Sequence, residues 1–181
     1  MKNLEPQLRS EPVRRVWTWW AHATRSLGRL PRRDEIDPAS FVDSLRLVWL
    51  VEWVWEKDSF RYRLAGEAIS RTSGVLLRGR MIEEVMPPET YQTTVAAWRE
   101  ALAQPAVAYQ SGGLYPPEET ALQGERLVLP ILGGAGREAR YLLGATAHVY
   151  CRGRDDVLET PLAPVADYAL YAVKDLLAKR A

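Results

Sequence analysis

The sequence has one cysteine, Cys151, and two histidines, His22 and His148. A single thiol excludes an intrachain disulfide and makes a reducing compartment the simplest home. Without a Cys/His cluster there is no spacing for a structural zinc site. Charge of one sign is also lacking: 24 lysines and arginines stand against 23 acidic residues, and a net charge of +1 exerts no general pull on nucleic acid or anionic membrane. No apolar run approaches the roughly 20 residues needed to cross a bilayer, and Met1-Lys2-Asn3-Leu4-Glu5-Pro6 has no signal-peptide core. Gly-x-Ser-x-Gly, a phosphate loop and His-Glu-x-x-His are all missing. The expectation is a soluble, cytoplasmic, non-catalytic chain whose 181 residues suffice for one domain with terminal additions.

Periodicity divides the chain. Val13, Val16, Trp17, Trp20, Ala21, Thr24 and Leu27 recur at helical spacing, with Arg14, Arg15, Thr18, His22 and Arg25 opposite, and Gly28 marks the end. This N-terminal amphipathic helix, within residues 1–29, either packs on its own domain or joins a partner. A contact between copies is expected through Val13, Trp17, Trp20 and Leu27. The stretch from Leu30 to Pro38 is proline-broken and charged, a connector, and Asp37-Pro38 suits the start of a short helix to Asp43.

From Leu45 to Trp55 both faces of a period-two pattern are apolar, which predicts a strand covered on both sides. After Lys57-Asp58-Ser59, the residues Phe60, Tyr62 and Leu64 alternate with Arg61 and Arg63 and complete a hairpin. Gly66 then turns the chain into a short helix stopped at Gly74. Tyr91, Val95, Trp98 and Leu102 mark a longer helix from about Pro88 to Ala103. An extended segment follows Pro105. Two more strands, Glu125–Leu132 and Arg140–Tyr150, are joined by a glycine-rich turn, and Pro130 argues for an edge or a bulge in the first of them. Leu162, Val165, Ala166, Ala169, Leu170, Val173 and Leu177 predict a C-terminal helix in an extension over 153–181.

Two strands, short helices, a longer helix and three closing strands follow the element order of the PAS domain. Leu30-Pro31-Arg32-Arg33, Ile36-Asp37-Pro38, Phe60-Arg61-Tyr62-Arg63-Leu64-Ala65-Gly66 with Ile69, Gly79-Arg80 and Arg126-Leu127-Val128-Leu129-Pro130 together resemble the single-domain PAS proteins common in alphaproteobacteria. The resemblance covers about Leu30 to Val149; Arg78-Gly79-Arg80 stands where Thr-Gly-Arg is usual. It implies an α+β fold over residues 30–152, a five-stranded antiparallel sheet in order 2-1-5-4-3 with helices across one face. It also implies a sensory or signalling module that senses a small ligand, holds a cofactor or mediates protein association, and the apolar stripe of the N-terminal helix makes a homodimer the expected state. A pure interaction module with a filled core, and an enzyme using the cavity of a curved sheet, are the alternatives.

Within that frame Tyr62, Leu64, Ile69, Arg80 and Trp98 are the candidate ligand-binding residues, with Trp49 and Trp53 as further aromatic walls, while Arg80 either reaches an anionic ligand or fixes its own loop by a hydrogen bond. His148 stands where a PAS strand could offer a haem ligand, but a lone strand histidine is usually a packed or surface residue. Flavin photochemistry would need a cysteine in the helices after the second strand, and none is there. No cofactor is assigned, and no catalytic or metal residue.

Overall fold

The N-terminal helix is built as the sequence dictates. In the computed structural model, which describes residues 4–113, 121–134, 138–151 and 168–178, α1 (Glu11–Leu27) is capped by Ser10 and closed by Gly28 at φ 63°. The hairpin follows as β1 (Val48–Val54) and β2 (Ser59–Ala65), then α2 (Glu67–Ser73) and α3 (Pro88–Ala103). The later strands are β3 (Ala106–Gly113), β4 (Ala121–Leu132), β5 (Ala139–Cys151) and β6 (Ala169–Ala172), with α4 (Val173–Leu177) last. The helix expected over Pro38–Asp43 is a 3₁₀ segment running on to Leu47 and kinked at Phe41. It takes over Leu45 and Leu47, which the alternation had placed in β1.

Every pairing in the sheet is antiparallel, in the order β2-β1-β5-β4-β3-β6. The first five strands are the expected arrangement. The sixth corrects the C-terminal reading: Ala169 and Leu170 are strand residues on the edge of β3, where Tyr109 faces Ala169 and Ala106 faces Ala172. A five-stranded sheet would leave β3 with unpaired N–H and C=O groups, and a short apolar run supplies partners for them. Ala-Leu-Tyr-Ala is too short for its period to distinguish strand from helix. Leu162, Val165 and Ala166 lie outside the described residues. The sheet therefore includes residues beyond the domain end expected at 152.

Pro130 is tolerated inside β4 because β3 pairs with β4 only as far as Val128, and the register with β5 slips at Ile131/Leu132. Pro130 thus sits at a locally open edge, where its carbonyl accepts the Trp20 indole N–H at 3.1 Å.

Two cores flank the sheet. On one face Val16, Trp17 and Trp20 of α1 pack over Val48, Leu50, Leu127 and Leu129. On the other, α2 and α3 bring Ile69 and Trp98 onto Trp49, Val51, Phe60 and Tyr62. All seven residues of β1 are buried, as its doubly apolar pattern requires. The chain ahead of α1 is held by Glu125, a buried carboxylate that accepts the backbone N–H groups of Arg9 and Ser10 and the Tyr109 hydroxyl. Burial, and then the adjacent Glu125 charge, push the Tyr109 phenol well above its ordinary range.

Gly66 carries the turn from β2 into α2 by close approach. A Cβ there would lie 2.3 Å from the Leu45 carbonyl oxygen and 2.5 Å from that of Arg46. Gly66→Ala is expected to lower unfolding stability by about 2–3 kcal/mol, read from the midpoint of urea denaturation. The connector after α1 is clasped by Arg29, which donates to Glu35 at 2.6 and 2.8 Å, while Glu35 also accepts the Arg32 N–H. These donors hold the Glu35 carboxyl at about 2, against an ordinary 4.5. Its stabilising contribution is present above the ordinary value and lost as pH falls toward 2. Carboxyl NMR should show Glu35 titrating near that lower limit, and Arg29→Ala should return it toward the ordinary range.

Candidate functional site

Between the sheet and its α2–α3 layer lies a cavity of about 40 Å³. Its floor is built from four strands: Trp49 of β1, Tyr62 of β2, Arg126 of β4 and Thr146 of β5. Its roof comes from Ile69 and Ser73 of α2, the Val85-Met86-Pro87 connector and Trp98 of α3. Strand alternation explains the floor, since Trp49, Tyr62, Arg126 and Thr146 occupy positions that turn toward the helical layer.

Aromatic geometry fixes the walls. Trp49 and Trp98 stack with centroids 4.7 Å apart and planes 24° from parallel, and Tyr62 meets Trp49 edge-on at 6.4 Å. Phe60 buttresses Trp98 from the side at 5.5 Å. These offset and edge contacts are the arrangements that ring quadrupoles prefer. Behind them is a polar line. Thr146 Oγ1 accepts the Trp49 indole N–H at 2.9 Å and the Arg126 Nε–H at 3.4 Å. Arg126 also donates through Nη1 to the Tyr168 hydroxyl at 3.0 Å. Arg126 is 6 % exposed. The Trp98 Nε1–H, on a side chain 1 % exposed, finds no acceptor among the described residues.

Three of the five expected ligand-binding residues, Tyr62, Ile69 and Trp98, meet at this cavity. Leu64 does not. The β1–β2 register slips between Leu50 and Val51, so that Leu50 faces Leu64 while Val51 faces Tyr62. That bulge turns Leu64 away from the Tyr62 side and leaves it 47 % exposed. Arg80 is outside as well, its side chain exposed and donating to the Leu76 carbonyl at 3.3 Å. It acts on the site through its backbone: the Tyr62 N–H donates to the Arg80 carbonyl at 2.9 Å, and the Gly79 N–H donates to the Tyr62 carbonyl at 2.8 Å. Trp53 belongs to the same core and contacts Phe60 at 4.9 Å without lining the cavity.

Of the residues expected at a contact between copies, Val13, Trp17 and Trp20 are enclosed by their own sheet, and Leu27 alone is exposed, at 41 %. The helix stripe is satisfied within the chain, so these three side chains meet another copy only if α1 leaves the sheet. His148 and Cys151 lie in β5, and their side chains fall outside what is described. Among the described residues no group of three His, Cys, Asp or Glu could hold a metal ion, and no helix is long and apolar enough to cross a membrane.

Arg126, Thr146 and Gly144 were not identified as site residues from the sequence. The available signal for Arg126 was the pair Glu125-Arg126 heading an apolar strand: alternation must bury one charge on each face of a sheet covered on both sides. Gly144 carried no such signal.

Residues 8–147 match the sequence model of a family described as PAS domain. No curated protein matches the chain.

Gly144 faces Trp49 across the β1–β5 pair, and a Cβ there would fall 2.0 Å from Cε2 of the Trp49 ring. Gly144→Ala should displace that ring, reduce stability by about 2–3 kcal/mol and alter the near-UV circular dichroism of the Trp49–Trp98 stack. An unchanged aromatic spectrum would contradict this placement of Trp49.

Proposed function

The chain belongs to the PAS domain family, a family of sensory and signalling modules, and from that membership we propose that it senses a small ligand in the cavity between the sheet and the α2–α3 layer. The observation that carries this reading is the polar line of Arg126, Thr146 and Trp98 Nε1 set into an otherwise aromatic core. Burying a guanidinium is costly, and a core that only needed filling would be served by an apolar side chain at position 126. The volume limits the occupant. About 40 Å³ accommodates a water or a ligand of a few heavy atoms, far below the roughly 300 Å³ lower end of drug-sized pockets. A flat cofactor does not fit without the connector over the cavity moving.

The signal would leave through association with a protein, in a cytoplasmic and non-catalytic role. Arg126 reaches Tyr168, the residue before β6, so an occupant that engages Arg126 acts on the C-terminal strand directly. A second reading, an interaction module with a filled core and no ligand, is favoured by the same small volume and the dense ring contacts around it. With Val13, Trp17 and Trp20 enclosed, a homodimer of folded copies would use other surfaces.

Native mass spectrometry of the purified chain, compared with the denatured chain, separates the two readings. The expected result is a small excess mass that is lost on denaturation and is absent from Val85→Phe, which fills the cavity from its roof. A bare mass in both, with an unchanged association state, would favour neither ligand nor self-association and would leave a module that acts through a different protein.

A further inference from the structure

A cluster of charge lies on the face of the sheet that carries α1, centred on Glu52 of β1. The Glu52 side chain is largely enclosed, 11 % exposed, and its carboxylate takes Arg140 of β5 at 2.8 Å, Arg63 of β2 at 3.6 Å and the Tyr141 hydroxyl at 3.1 Å. Arg33, from the connector after α1, lies over the Tyr141 ring at 5.5 Å. Arg61 stands opposite Glu52 across the β1–β2 pair, and since Phe60 and Tyr62 on either side of it are buried in the other core, it shares the Glu52 face. Four arginines therefore gather round one carboxylate. Enclosing Glu52 accounts for only part of this: Arg140 and the Tyr141 hydroxyl already satisfy it, whereas Arg33 and Arg61 have no ion pair among the described residues. In a chain whose net charge is +1, four positive charges against one negative at close quarters repel one another and are a local feature, not the background of a basic protein.

We propose that this arginine cluster docks an acidic segment of a partner protein. This rests on the association with a protein in the reading above, which the ligand-free alternative shares, and gives that partner a chemistry. All four cations are arginines, whose forked donors match carboxylates as a lysine does not. Two of the guanidiniums are drawn to Glu52 and a third rests on the Tyr141 ring, so little side-chain freedom is lost when an anion meets them. Arg61 and Arg63 rise from β2 and Arg140 from β5, with β1 between, so the cluster is two strand spacings wide, roughly 10 Å. A single small anion does not reach across it, whereas a peptide repeats side chains on one face every two residues when extended and every three or four when helical, at about 5–7 Å. Nucleic acid fits less well. A handful of phosphate contacts holds weakly at physiological salt, and the one ring in the cluster, Tyr141, is buried beneath Arg33 and offers no face to a base. Two copies do not close symmetrically on this surface, because arginine would meet arginine.

The probe is a fluorescein-labelled peptide of alternating glutamate and alanine, titrated with the full chain and followed by fluorescence anisotropy. The expected result is saturable binding that weakens as sodium chloride is raised, with the glutamine–alanine peptide of equal length about tenfold weaker. Arg33→Gln combined with Arg61→Gln, whose side chains make no ion pair or hydrogen bond among the described residues, should weaken binding about tenfold. Arg25→Gln combined with Lys174→Gln removes the same charge from the groove beside Val173, next to the opposite edge strand, and should change it by less than about twofold. Equal weakening in both double variants would reduce the effect to net charge and overturn the site. Equal binding of the glutamine peptide, or no peptide binding at all, also overturns it. Oligothymidine or phosphatidylserine vesicles that bind more tightly than the peptide, and lose that binding in the Arg33/Arg61 variant, would assign the surface to nucleic acid or membrane instead. The cavity reading is decided separately by native mass. An excess mass retained in the Arg33/Arg61 variant upholds ligand sensing whatever the peptide does, and peptide binding by a chain with no excess mass upholds this surface without it.

Discussion

The contact of the Trp49 indole with the backbone of Gly144 is the constraint on which the candidate site depends. The ring lies so close to β5 that no side chain larger than hydrogen fits at position 144. From that seat Trp49 does three things. It stacks on Trp98 and so positions α3, it presents an edge contact to Tyr62, and it donates to Thr146. The cavity is the space left beside this assembly, and its small size follows from how closely the rings approach one another.

The sheet separates two kinds of work. On the face covered by α1, Glu125 fixes the start of the helix by accepting the N–H groups of Arg9 and Ser10, so the N-terminal segment is held by a buried charge as well as by apolar packing. On the face covered by α2 and α3, the next residue, Arg126, supplies the charge of the cavity wall. Neighbouring residues of one strand therefore place opposite charges on opposite faces, each satisfied by hydrogen bonds on its own side.

Much of the fold was legible from residue patterns, for reasons that can be named. The stripe of Val13, Val16, Trp17 and Trp20 was legible as one apolar helix face, but its period left open whether the sheet or a second copy covers it, and the structure seats it on the sheet. The doubly apolar run is a strand buried on both faces over Val48–Val54, while Leu45, Leu47 and Trp55 at its ends fall in 3₁₀ turns that the alternation did not show. The resemblance to PAS domains, rather than any residue pattern, put Tyr62, Ile69 and Trp98 beside one cavity, and all three line it. Leu64 was misplaced because strict alternation assumes an unbroken ladder, and one extra residue at the bulge reverses the side on which it emerges. Arg80 fixes its loop, its side chain donating to the Leu76 carbonyl and its own carbonyl accepting the Tyr62 N–H, and the second of these is a role that residue type does not encode. Ala169 and Leu170 fitted a helical stripe but were drawn to the vacant edge of β3.

By itself, the sequence determined which segments are apolar on one side or both, where glycines and prolines end them, and hence the order of helices and strands, because these properties depend on neighbours a few residues away. Tertiary structure alone decided that Arg126 and Thr146 join the aromatic residues around the cavity. Trp49, Arg126 and Thr146 come from strands far apart in the chain, and their contacts depend on register, on one bulge and on a glycine that admits a ring. The extent of the sheet was decided in the same way, since a strand edge finds its partner by open hydrogen-bonding groups in space and not by any pattern along the chain.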